Sequence, residues 1–380
     1  MKSYIVASAA VKIDRYYEKG YKELFRDAVE ELYKYVDELD IDTIIVSSMA
    51  SELIDHQSNP AVILSDYMSI RDVRIYRVES GEASGAAAVQ LADSLIKAGV
   101  SKKLMVVGID KLSDLPVSHV AYAYMALKDS DYIQIQGISP LAESAILAKL
   151  YMREYDYSYE DLFIWPYTMH QNSPDTPHAQ LRFKISPDSY KDSPILAEPL
   201  RLLDSYPFGD GVSILYIVSQ EYLREYDSAV SIEGTGSSND TADLASREDL
   251  LYFKAVRRSF EQALAMAKIE KNSIKYMEIH DNYTPNAFLV IESLGLVERG
   301  EAPEKFENSM INSIHINLSG GLKARGHPWG ATGVYQIHEI FSALMGSFKK
   351  SVLGEVEYGL TQNMSGVGEV SYCTILRRVK

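Results

Sequence analysis

Apolar positions recur along this chain with two different periods. Unbroken aliphatic runs such as Thr43-Ile-Ile-Val-Ser47 and residues 104–109 read as strands buried on both faces. Residues 21–39 instead place Leu24, Ala28, Leu32 and Val36 at helical spacing, which predicts an amphipathic helix. On the same grounds residues 4–12 and 75–78 read as strands, and 60–67 and 86–99 as helices. The pattern loosens between residues 116 and 207. A helix is expected over 142–155, but Pro166, Pro174, Pro177, Pro187, Pro194 and Pro199 break the remainder of that region into loops. Regular signals resume with strands at 211–218, 276–280, 310–316 and 370–376 and helices at 248–267 and 334–345. The Gly-, Ser- and Asn-rich residues 231–240 read as a flexible loop.

The order repeats. Each half has a long helix running into a buried strand, then a strand, a glycine turn and a small-residue helix. The turns align, with Glu82-Ala-Ser-Gly85 matching His327-Pro-Trp-Gly330. Alternating strands and helices predict right-handed β-α-β units in an α/β protein, whose ligands gather outside the carboxyl ends of the strands. A tandem pair of such units brings Glu82 and His327 to a common midline. The expected division is 1–115 for the first half, 116–208 for an inserted loop domain and 209–380 for the second half.

Composition narrows the partners. With 38 basic and 53 acidic residues the formal charge is −15, which argues against nucleic acid as the main ligand. The single cysteine, Cys373, rules out an intrachain disulfide and reads as a buried structural thiol. The apolar run at residues 5–11 is too short to span a membrane, so a first strand and a cytoplasmic protein are expected.

Candidate chemistry concentrates in Asn317-Leu-Ser-Gly-Gly-Leu-Lys-Ala-Arg-Gly-His327-Pro-Trp-Gly330-Ala-Thr-Gly333. So many glycines imply positive φ or close backbone approach. His327 stands where the turn becomes a helix, an end that favours negative charge. No Gly-Lys-Ser/Thr comes after it, so this is not a nucleotide-binding P-loop. Elsewhere His170, Asp175 and His178 cluster without strict metal-ligand spacing. His119, His315 and His338 read as packing or solvated residues, and Trp165 and Trp329 as buried packing or the lining of a ligand tunnel.

The segment Gly320–Gly333 resembles the GHPxGATG signature of thiolases, and Ile279-His-Asp-Asn-Tyr-Thr-Pro285 the HDxFT segment of their archaeal and sterol-carrier-type branch. Pro199-Leu-Arg-Leu-Leu-Asp with Gly209-Asp-Gly211, Pro177-His-Ala-Gln180, Gly359-Leu-Thr-Gln-Asn and Gly366-Val-Gly368 resemble further elements of that family in the right order. The resemblance implies two βαβαβαββ halves in a five-layered α-β-α-β-α core with an inserted loop domain. It also implies a homodimer, coenzyme A thioesters as ligands and no prosthetic group. In the family a cysteine accepts the acyl group, the GHP histidine activates it, and the HDxF histidine completes an oxyanion hole. By position these are residue 82, His327 and His280, with Gly326, Gly330 and Gly366 around the acyl-CoA.

Residue 82 is a glutamate. A carboxylate is a weak nucleophile, and its attack on a thioester would give a water-labile mixed anhydride. Ordinary thiolysis through residue 82 is therefore expected to be absent. Two roles remain. One is an acyl-CoA-binding subunit of a thiolase-type complex. Archaeal relatives assemble with HMG-CoA synthase through a zinc-containing OB-fold protein, which makes those the partners implied. The other is non-covalent enolate chemistry (decarboxylation or condensation), with Glu82 as base and His280 and His327 as oxyanion hole.

Overall fold

The computed structural model describes residues 1–379. In the first half, β1 (Ser3–Ala10), α1 (Tyr21–Leu32), β2 (Thr43–Ser47), α2 (Pro60–Tyr67), β3 (Arg74–Val78), α3 (Ser84–Lys97) and β4 (Lys103–Asp110) come in that order. Helices α4 (Val117–Tyr124), α5 (Pro140–Tyr155) and α6 (Ile164–Asn172) belong to the inserted region. The chain then forms β5 (Gly211–Ser219), β6 (Val230–Asn239), α7 (Lys254–Ala267), β7 (Ile274–Glu278), α8 (Thr284–Ser293), β8 (Ile314–Ile316), α9 (Thr332–Leu344), β9 (Tyr358–Ser365) and β10 (Val370–Arg378).

The strands make one continuous sheet. From the short edge strand Met310–Ile311 its order is β8-β7-β9-β10-β6-β1-β5-β4-β2-β3. Each half contributes the same five-strand pattern. β1-β5-β4 run antiparallel and β4-β2-β3 parallel, just as β6-β10-β9 and β9-β7-β8 do. The halves meet at two antiparallel residue pairs, Tyr4 with Ser231 and Ile5 with Val230. The expected repeat is therefore present strand for strand. A sequence division at residue 209 assigns β5 to the second half; its pairing with both β1 and β4 places it in the first.

Burial explains the layers. β2 and β5 are buried along their whole length, because helices cover both faces of the sheet. α1 and α2 close one outer face through Leu24, Phe25, Val29 and Leu64. α7 and α8 close the other through Val256, Phe260, Phe288 and Val290. Between the two half-sheets lie α3 and α9, whose Val89, Ala92, Val334 and Ile337 share one core. This is the five-layered α-β-α-β-α arrangement.

Several departures from the sequence reading have local causes. Residues 231–240 are largely a strand, β6, rather than a loop. Its glycines are there because α7 lies almost on the backbone: a Cβ at Gly236 would sit 2.0 Å from the Ser259 carbonyl oxygen, and one at Gly234 2.2 Å from that of Ala263. The inserted region holds more helix than its prolines suggest. Pro166 falls in the first turn of α6, where its missing N–H has no intrahelical partner to lose. Residues 359–363, which resemble a family element in sequence, form the body of β9. Finally, α1 ends at Leu32, and Val36 is buried from the turn beyond it.

The central layer imposes the tightest contact. A Cβ on Gly333 would lie 2.3 Å from the Ala86 nitrogen, and one on Gly85 2.8 Å from the Val334 nitrogen. Backbone cannot yield as a flexible side chain can. Gly333→Ala is expected to destabilise the protein by about 3 kcal/mol or more, measured by urea unfolding.

Candidate functional site

The site forms where α3 and α9 begin. Leaving β3, the chain turns through Gly81, whose φ of +57° suits glycine and whose missing side chain makes room for the Ser365 hydroxyl. The Ser84 hydroxyl accepts from the Ser80 N–H and donates to the Gly81 carbonyl, fixing this entry into α3. Glu82 is thereby held two residues before the helix. From the other half, His280 lies just past the end of β7, and His327 ends the glycine-rich loop before α9. Glu82, His280 and His327 are all fully buried.

One carboxylate organises this space. The His327 Nε2–H and the Tyr124 hydroxyl each donate to Glu82 Oε1 at 2.7 Å, with the Asn282 amide at 3.4 Å. The Gly366 N–H donates to Oε2 at 2.6 Å. His280 Nε2 stands 3.7 Å from Oε1, beyond hydrogen-bonding distance. Both imidazoles are gripped from behind: His327 Nδ1 lies 2.6 Å from the Thr332 hydroxyl and His280 Nδ1 3.0 Å from the Asn363 amide nitrogen. Aromatic rings pack around the group. Tyr124 stacks on Trp329 at 5.2 Å, Tyr206 meets His327 edge-on at 4.5 Å, and the Trp329 indole N–H donates to the Tyr206 hydroxyl.

Burial alone raises the Glu82 carboxyl, but the adjoining His280 and His327 reverse that and hold it well below the usual carboxylate range. Burial presses His327 down to about 4, with the Glu82 hydrogen bond opposing. Near neutral pH the site is thus an ionised glutamate beside a neutral His327.

Of the glycines expected at the site, Gly366 touches Glu82 directly. Gly326, at φ +111°, packs against Ile13 and Gln180; Gly330 lies against Met49 and donates its N–H to Asp110 Oδ2 at 2.7 Å. Packing accounts for both. The turn bearing Gly366 is braced from the inserted region: Lys128, fully buried, bonds Glu369 and lies 2.5 Å from Glu143, while Glu369 accepts from the Val367 N–H.

The remaining candidates are dispersed. His170 Nδ1 lies against the Phe183 carbonyl at 2.8 Å, and His178 Nε2 against Glu339 at 2.7 Å, so they do not gather with Asp175 around a common point. Trp165 is core, donating to Asp281 and packing on Phe288 and Phe306. Cys373 is buried on β10, its thiol pushed up to about 12 by burial, and it takes no part in the site. Sequence reasoning does not single out Tyr124, Thr332 or Asn363. Thr332 and Asn363 lie inside the glycine-rich motifs; Tyr124 sits in the loosely patterned insertion and carries no signal. No helix among the described residues is long and apolar enough to cross a membrane.

Comparison with known proteins bears on the family and the fold. Residues 4–201 match the model of the thiolase N-terminal domain, and residues 236–378 that of the thiolase C-terminal domain-like family. An acetyl-CoA acetyltransferase of Methanothermobacter thermautotrophicus is 31% identical over 349 residues, covering 90% of both chains. That of Methanocaldococcus jannaschii is 30% identical over 378 residues, covering 96% of both. Among solved structures, the Ltp2-ChsH2(DUF35) aldolase superposes with a TM-score of 0.81 at 19% identity, covering 99% of this chain and 98% of that one.

Two measurements test the site. Tyr124→Phe removes one donor from a buried carboxylate and is expected to cost about 1–3 kcal/mol in urea unfolding. The unfolded histidine protonates near about 6.5, whereas folded His327 resists until about 4. Its contribution is therefore present above the unfolded value and is lost as pH falls from about 6.5 toward about 4. His327→Asn is expected to flatten the stability–pH curve in that window, by up to about 1.4 kcal/mol per pH unit.

Proposed function

Because the chain belongs to the thiolase family, we propose that it is a thiolase-fold, acyl-CoA-binding subunit that has given up acyl transfer through residue 82. One observation carries this: the Glu82 carboxylate is fully buried and accepts from His327, Tyr124, Asn282 and the Gly366 N–H. In the family, the GHP histidine activates a thiol at this position. Here the His327 Nε2–H is spent on the carboxylate that replaces the thiol. A carboxylate so well solvated by protein donors is a poor nucleophile, because attack would forfeit those bonds.

The same depression of its proton affinity makes Glu82 a weak general base. That favours a binding or scaffold role over enolate chemistry. The retained fold supports coenzyme A thioesters as ligands and a homodimer as the assembly. The aldolase neighbour is a complex with a DUF35 protein, which supports assembly with a second protein. HMG-CoA synthase and a zinc-containing OB-fold protein are the partners this reading names. A second reading stays in play through His280, whose buried Nε2 has no hydrogen-bond partner and faces the carboxylate. On that reading, His280 and His327 hold an enolate oxygen while Glu82 moves a proton.

Calorimetric titration is expected to show CoA or acetyl-CoA binding, while CoA-dependent cleavage of acetoacetyl-CoA stays at the buffer rate. Turnover that His327→Ala abolishes, or an acetyl adduct on the chain in mass spectra, would overturn the proposal. Release of CO₂ from malonyl-CoA that disappears in Glu82→Ala would select the enolate reading.

A further inference from the structure

Three donors of metal-ligand type converge at this centre. One ligand atom each from Glu82, His280 and His327 lies within 4.8 Å of the other two, and all three residues are buried. Among the described residues this is the one such group with three members. Two histidines and a carboxylate form the protein ligand set of several zinc enzymes, with a fourth position left open.

An orphaned ring nitrogen faces the carboxylate. His280 Nε2 and Asn363 Oδ1 are both buried and without hydrogen-bond partners. The assignment of the Asn363 amide decides the tautomer of His280. If the Asn363 amide is turned, Oδ1 accepts a proton from His280 Nδ1, and the side-chain oxygen and nitrogen are not distinguishable from heavy-atom shape alone. His280 then carries its hydrogen on Nδ1 and aims a bare Nε2 lone pair at Glu82 Oε1, 3.7 Å away. Two lone pairs facing each other in a dry interior repel, unless a cation lies between them. Thr332 can play the same supporting part for His327, accepting from Nδ1–H across 2.6 Å and leaving Nε2 free to ligate. Carbonyl or hydroxyl acceptors behind both ring nitrogens are the usual support of metal-bound histidines.

Distances and charge fit as well. Oxygen-to-nitrogen separations of 2.7 and 3.7 Å bracket the edge of about 3.3 Å expected in a tetrahedron with bonds of about 2.0–2.1 Å. Among the described residues the carboxylate has no lysine or arginine within ion-pairing distance, only these two histidines. A bound cation would supply the positive charge that no lysine or arginine brings to this buried carboxylate. Tyr124 and the Gly366 N–H still bond the carboxylate and would orient it.

We propose that Glu82, His280 and His327 form a binding site for a divalent transition metal of the zinc class, created by the glutamate at residue 82. Ligation uses the His327 Nε2 lone pair and so replaces the Nε2–H bond to Glu82 of the metal-free site; metal content is read without acyl transfer or CoA, so the two proposals fail on different measurements. The full chain is produced in zinc-supplemented and in cobalt-supplemented minimal medium. Metal content is read by plasma mass spectrometry and cobalt geometry by visible absorption. About one ion per chain is expected, with the intense bands of a four-coordinate cobalt site. Glu82→Gln and His280→Ala are each expected to lower bound metal more than tenfold, with unchanged circular dichroism confirming the fold. Wild-type protein that holds well under one equivalent from both media overturns the proposal, as does metal that survives both substitutions at the wild-type level. The wild-type result decides the matter even if a variant fails to fold.

Discussion

The structure depends on how closely two helix beginnings pass at its centre. α3 and α9 cross with Gly85 and Gly333 backbone to backbone, too close for even a methyl group. That crossing fixes the distance between the ends of two half-sheets separated by more than two hundred residues of sequence. Everything chemical in the molecule hangs from it. Glu82 precedes one helix and His327 the other, so their 2.7 Å contact results from the same packing that joins the two halves. The glycines therefore serve the core and the site together, and neither use can be read without the other.

Around that crossing, the interior tolerates an ionised carboxylate by surrounding it with donors. Three come from side chains of different segments, Tyr124 in the inserted region and Asn282 and His327 in the second half, and one from the backbone at Gly366. The Gly366 turn is held in turn by a buried ion group of Lys128, Glu143 and Glu369. The insertion is thus part of the electrostatic environment of residue 82, and no mere cover for the core. Buried ion groups of this kind contribute little net stability compared with apolar packing, but removing one member leaves a charge stranded. Their effect is on geometry: they decide where the Gly366 N–H points.

The sequence made the repeat legible because each half must bury its strands on both faces, and that leaves unmistakable aliphatic runs such as residues 43–47 and 104–109. It also made Glu82 and His327 legible through the glycine turns that carry them, and His280 only through the resemblance of residues 279–285 to a thiolase segment. It hid β6, because a strand pressed against a helix backbone is written in Gly and Ser and looks like a loop. It hid the ownership of β5, since pairing across an insertion of about a hundred residues has no local trace. Tyr124 was hidden for a related reason. Its role comes from where α4 is carried by the fold, and its own neighbours in sequence give no hint of a buried carboxylate.

A carboxylate at residue 82 has an effect beyond acyl chemistry. The chain's one sulfhydryl, at Cys373, is enclosed on β10 and pushed to about 12, so almost none of it is thiolate at neutral pH. Peroxide, nitrosating agents and glutathione disulfide all act through thiolate sulfur. A centre built from the oxygen and imidazole nitrogens of Glu82, His280 and His327 holds no sulfur for them to attack.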